Sequence, residues 1–89
     1  MDVLCLNFGD KESVASLELV SKLRNLGLRA DLYPSATKVQ KQFKYADRRN
    51  VPYVILLGEK ELNENQFIVK DMKSGEQQSY SLTNPGEFA

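Results

Sequence analysis

Val3-Leu4-Cys5-Leu6-Asn7-Phe8 is a short, nearly unbroken apolar run closed by Gly9-Asp10, the pattern of a strand buried on both faces of a parallel sheet. Asp10 is placed to cap the next segment, and Glu12 falls in its first turn, where the helix dipole favours negative charge. Leu19, Leu23 and Leu26 then recur three and four apart, widened by Leu17 and Val20, until Gly27 offers a left-handed stop; the spacing predicts an amphipathic helix. Leu28 to Tyr33 alternates toward Pro34 and predicts a short second strand, ended by the missing proline N–H.

Thr37-Lys38-Val39-Gln40 has the form of a capping box and predicts the start of a second helix. On a helical projection Val39, Phe43 and Ala46 form its buried stripe, while Lys38, Lys41, Lys44, Tyr45, Arg48 and Arg49 spread over the other side. That helix must end before Pro52, and Tyr53-Val54-Ile55-Leu56-Leu57, the most hydrophobic run, predicts the central strand, ended at Gly58. An acidic loop from Glu59 to Asn65 leads into the strand Gln66 to Asp71, and Lys73-Ser74-Gly75-Glu76 turns the chain into Gln77 to Leu82 as a hairpin.

The order strand, helix, strand, helix, strand, hairpin predicts two right-handed crossover units followed by an antiparallel pair: a three-layer α/β/α sandwich on a mixed sheet. Residues 1–89 are expected to form a single domain, since a chain of this length has no room for a second core. The hairpin half of such a sheet lacks a covering helix. Pro85 and Glu87 suit the first turn of a third helix, so the chain is expected to be a fragment cut at that point.

Composition narrows the chemistry more than the fold. Hydrophobic residues make up 42% and charged residues 27%, a globular balance that disfavours a disordered chain. No apolar run reaches the length of a membrane span and no basic leader opens the chain, so a cytoplasmic location is expected. One cysteine and no histidine remove disulfide frameworks, Cys/His zinc sites and His-activated nucleophiles.

Asn7-Phe8-Gly9-Asp10-Lys11 occupies the place of a phosphate loop but matches neither G-x-G-x-x-G nor a P-loop. Cys5, inside an apolar strand without a basic neighbour, reads as a packed small hydrophobe. Glu59, Glu61 and Glu64 could form a metal cluster, but a surface loop explains them more simply, so no metal is expected.

Although the net charge is zero, its distribution is uneven. Residues 38–49 carry five basic side chains against Asp47 alone, a net of +4, leaving seven basic and eleven acidic groups, −4, elsewhere. A solvated helix face is the simplest account of such a run. Its interleaved Tyr45 also suits single-stranded nucleic acid, in which lysines neutralise phosphates while rings stack on bases.

Residues 38–62, Lys-Val-Gln-Lys-Gln-Phe-Lys-Tyr-Ala-Asp-Arg-Arg-Asn-Val-Pro-Tyr-Val-Ile-Leu-Leu-Gly-Glu-Lys-Glu-Leu, closely resemble the carboxy-terminal anticodon-binding domain of the histidyl-tRNA synthetases, a class II family. The resemblance continues through Leu26 to Pro34 and Val69 to Gln77, and so covers nearly the whole chain. It implies a five-stranded mixed sheet with the fourth strand antiparallel, and a final helix that this chain lacks. It implies further a preceding catalytic domain that holds ATP, Mg and histidine and forms most of a homodimer interface. This domain would then select tRNA, carry no catalytic residue and need no cofactor of its own.

Residue roles follow from the same resemblance. In related threonyl enzymes an acidic residue of the Gly-x-Lys-Glu loop and a basic residue on the fourth strand contact anticodon bases, and by motif position these fall on Glu61 and Lys70. Guanine offers two N–H donors that a carboxylate can accept together. Lys70 stands where those relatives have arginine, so a forked contact becomes a point charge suited to phosphate. Lys41, Lys44 and Arg48 are the expected phosphate contacts, Tyr33 is placed to stack on a base, and Phe43 is expected in the core. A protein-interaction module of the same fold and a flavodoxin-like small-molecule domain are the competing classes, the latter disfavoured by the glycine-poor first loop.

Overall fold

A computed structural model describes residues 1–88. Five strands, β1 (Val3–Cys5), β2 (Ala30–Leu32), β3 (Tyr53–Leu56), β4 (Gln66–Asp71) and β5 (Gln77–Ser81), form one sheet in the order β2-β1-β3-β4-β5. β1 pairs in parallel with both β2 and β3, whereas β4 runs antiparallel to β3 and to β5, so the fourth strand alone is reversed. That is the predicted mixed sheet.

Alternation along β1 divides the core in two. Val3 and Cys5 face helix α1 (Asp10–Asn25), packing with Leu19, Val20, Leu23, Ile55 and Phe67, while Leu4 and Leu6 face helix α2 (Val39–Arg48), packing with Ala46, Val51 and Val54. The helices therefore cover opposite faces of the sheet. Cys5 is buried as predicted, and burial pushes its thiol up to about 12, with Ser16 acting in the other direction.

Several expectations are corrected. Asp10 is the first residue of α1 and not its cap; Gly9 stands in the cap position with φ 126°, a conformation that glycine alone adopts easily. Leu17 and Leu26 do not extend the buried stripe but are 56% and 51% exposed. α1 ends as read, with Gly27 left-handed at φ 97°. The Thr37 capping box is absent: Lys38 is the N-cap of α2, no side chain caps it, and the Thr37 hydroxyl makes no hydrogen bond. The acidic loop folds instead as a short helix, α3 (Glu59–Asn63), whose Leu62 packs against the α1-side core.

Pro85–Glu87 form a single 3-10 turn. This turn brings Phe88 against Tyr53 and Tyr80, with ring centroids 5.5 and 5.7 Å apart, so the hairpin half of the sheet is covered in part by Leu62 and Phe88. No helix among the described residues is long and apolar enough to cross a membrane.

Candidate nucleic-acid interface

Open α/β sheets place ligands at the carboxyl ends of their parallel strands, where the loops leave the sheet. Here that edge is built from the residues after Cys5, Leu32 and Leu56. Tyr33 leaves β2 with its N–H donating to the Cys5 carbonyl at 2.9 Å, while its own carbonyl accepts from Asn7 Nδ2 at 3.0 Å. The ring meets Tyr45 of α2 edge-on, with centroids 5.3 Å apart. Arg49 lies over the Tyr45 ring at 5.2 Å, a cation–π contact that helps to hold it.

Around this pair α2 contributes its cations. Tyr33, Lys41, Lys44, Tyr45 and Arg48 line one groove of about 130 Å³, and Lys41 and Lys44 also border a wider hollow of about 410 Å³ with Thr37, Lys38 and Gln40. Four of the six expected site residues therefore converge. The groove has an aromatic floor and a cationic rim.

Glu61 and Lys70 do not line that groove. Lys70 pairs in register with Val54, so its position is about 13 Å along the sheet from Gly58, which precedes α3. Its ammonium sits 4.9 Å from the centroid of Phe43 on the α2 face. Phe43 is only half-buried, packed against the α2-side core and covered by that lysine, a partial match to its expected core role.

Glu61 is the third residue of α3, and its Oε1 accepts the Gly58 N–H at 3.0 Å. Gly58 has no side chain to return the bond, so this is half of a capping box. The expectation that Glu61 lies in an unstructured polar loop is thus corrected. Oε2 and one lone pair of Oε1 remain open to a ligand. Lys11 pairs with Glu59 at 3.4 Å beside it, and among the described residues no three acidic or thiol groups come together as a metal site.

Sequence reasoning missed Gln42. It is fully buried, and its amide makes three hydrogen bonds: Oε1 accepts the Asn7 N–H at 2.7 Å, and Nε2 donates to the carbonyls of Asn7 at 2.9 Å and Thr37 at 3.0 Å. The signal was its place on the wheel, about 60° from Val39 and close to Ala46. Its polar type argued against burial, which only the satisfied amide makes tolerable.

This architecture has counterparts among known proteins. A histidyl-tRNA synthetase from Nostoc superimposes with a TM-score of 0.91 at 26% identity, over 98% of this chain and 21% of that one. The S. aureus histidyl-tRNA synthetase gives 0.87 at 31% identity, over 99% of this chain and 23% of that one. A histidine–tRNA ligase of Christiangramia forsetii is 51% identical over 75 residues, 84% of this chain and 16% of that protein. The chain spans less than a fifth of the length of the curated relatives it matches. The family model described as anticodon binding domain matches residues 2–88, and with nearly every position covered this chain belongs to that family.

Proposed function

We propose that this chain is the tRNA-selecting module of a histidine–tRNA ligase, reading the anticodon loop while a separate catalytic domain of the same parent performs the ATP- and Mg-dependent attachment of histidine. The parent would be a cytoplasmic homodimer. The observation that carries the reading is the convergence of Tyr33 and Tyr45 with Lys41, Lys44 and Arg48 in one groove. A phosphodiester backbone needs the cations, and an unpaired base needs a ring to stack on.

Roles follow from the chemistry of each group. Lys41, Lys44 and Arg48 neutralise phosphates without reading sequence. Tyr33 offers a face to a loop base, and each stacked base contributes about 1–3 kcal/mol. Glu61 accepts from the two N–H donors on the Watson–Crick edge of guanine through its open lone pairs, and Lys70, held against Phe43, supplies a point charge to a neighbouring phosphate.

Titration of the chain with an RNA stem-loop carrying the histidine anticodon, beside the same stem with a scrambled loop, tests the reading. Tighter binding of the histidine loop is expected. Equal affinity for both loops would leave only a non-specific cationic surface and refute it.

A further inference from the structure

We propose that Gln42 is the positioning residue of the groove, fixing both ends of the loop that carries Tyr33; this rests on the RNA-binding reading above. The segment from Tyr33 to Thr37 joins β2 to α2. At its far end the Thr37 carbonyl accepts directly from Gln42 Nε2 at 3.0 Å. At its near end the link runs through Asn7: Gln42 holds the backbone N–H and carbonyl of Asn7, and the Asn7 side chain holds the Tyr33 carbonyl at 3.0 Å. The other Asn7 side-chain atom, Oδ1, accepts the Gly9 N–H at 3.0 Å, which fixes the turn into α1.

One amide on α2 thereby ties together the loops after β1 and β2. Its orientation is dictated by its partners, since the Asn7 N–H can only donate and the two carbonyls can only accept. The Tyr33 ring packs with Tyr45 against the α2-side core, but residues 34–36 are exposed, so packing alone leaves the loop between Tyr33 and Thr37 free to move. Three hydrogen bonds converging on a fully buried side chain remove that freedom before any ligand arrives, and this preorganisation lowers the ordering cost of binding.

The test compares the 89-residue chain with Gln42→Met, similar in length but unable to make any of the three bonds, and with Asn7→Ala, which cuts only the side-chain link to Tyr33. All measurements are made well below the unfolding midpoint of each variant. Two readouts are taken: NMR cross-peaks between the Tyr33 and Tyr45 rings, and affinity for the histidine anticodon stem-loop as a function of salt.

Both variants are expected to lose the ring contact and to bind RNA about fivefold or more weakly, the lower end of what one stacked base contributes, with the salt slope unchanged because the lysines are untouched. A merely structural Gln42 would lower the midpoint yet leave the ring contact and the affinity of the folded protein as in the parent; that result overturns the proposal. Should Gln42→Met fail to fold, Asn7→Ala decides by the same two readings. Should the parent chain bind no RNA, the RNA-binding reading fails, and the ring contact alone decides whether Gln42 positions Tyr33.

Discussion

Replacing Glu61 separates the cap that its carboxylate forms on the Gly58 N–H from the base-reading role proposed for it. In Glu61→Ala the Gly58 N–H, now bonded to Oε1 at 3.0 Å on a buried residue, loses its partner. Losing such a cap costs about 1 kcal/mol, and the lost negative charge in the first turn of α3 adds a few tenths. For a domain of this length about 1 kcal/mol lowers the thermal midpoint by about 4–8 °C. Glu61→Gln keeps an oxygen for the Gly58 N–H and should recover most of that loss. Recognition behaves differently. An amide presents donors to the donors of guanine, so both variants should lose anticodon discrimination in aminoacylation by the parent enzyme, by about 1–3 kcal/mol for alanine and part of that for glutamine. Thermal unfolding of the chain, together with aminoacylation ratios for wild-type and anticodon-substituted tRNA, reads the two effects separately. An alanine variant that melts with the parent, or a glutamine variant as unstable as alanine, would refute the cap; unchanged ratios in both would refute the reading role.

Alanine at both Lys41 and Lys44 should weaken binding to every RNA loop about equally and reduce the salt slope by about 0.7 per lost contact; an unchanged slope would mean that these lysines only face solvent. Phe67, fully buried and stacked on Tyr80 at 5.7 Å, should cost about 3–5 kcal/mol on truncation to alanine, a large share of the stability of a small domain, read as a lost or sharply shifted cooperative transition in urea. Cys5 should resist a thiol reagent in the folded chain and react only as fast as the chain unfolds. Its folded thiol holds a proton up to about 12 while the unfolded thiol releases it from 9.0, so stability is retained below that lower value and falls as pH rises between the two. Urea midpoints of the parent and Cys5→Ala measured across that interval should converge with rising pH, and parallel curves would contradict the burial account.

The strands and the two long helices were legible in the sequence because each rests on a local pattern of apolar positions. The unbroken apolar run from Val3 to Leu6, the four-residue spacing of Leu19 and Leu23, and the run from Tyr53 to Leu57 carry their own information. Gly27 likewise announced its left-handed stop, since φ 97° is unfavourable for most other residues. The cationic content of residues 38–49 was equally plain.

What periodicity cannot supply is which polar group finds a partner far along the chain. Thr37 and Gln40 had the spacing of a capping box, yet Gln42 bonds the Thr37 carbonyl and reaches Asn7, 35 residues away, and the Thr37 hydroxyl is left alone. A buried amide is stable only when the tertiary structure brings it three complementary backbone groups, and none of those is visible in its own neighbourhood of sequence. Glu61 shows the same dependence on a smaller scale: a run of acids reads as a loop until the Gly58 N–H offers a partner that turns it into a helix. The sequence by itself determined the succession of elements, their layers and the basic face, whereas the order β2-β1-β3-β4-β5 was set by pairing between strands. Only the packing of α2 against the ends of β1 and β2 decided that Tyr33 meets Tyr45 beside Lys41, Lys44 and Arg48, and that Lys70 is drawn away to Phe43, because those distances depend on long-range hydrogen bonds and on the register of neighbouring strands.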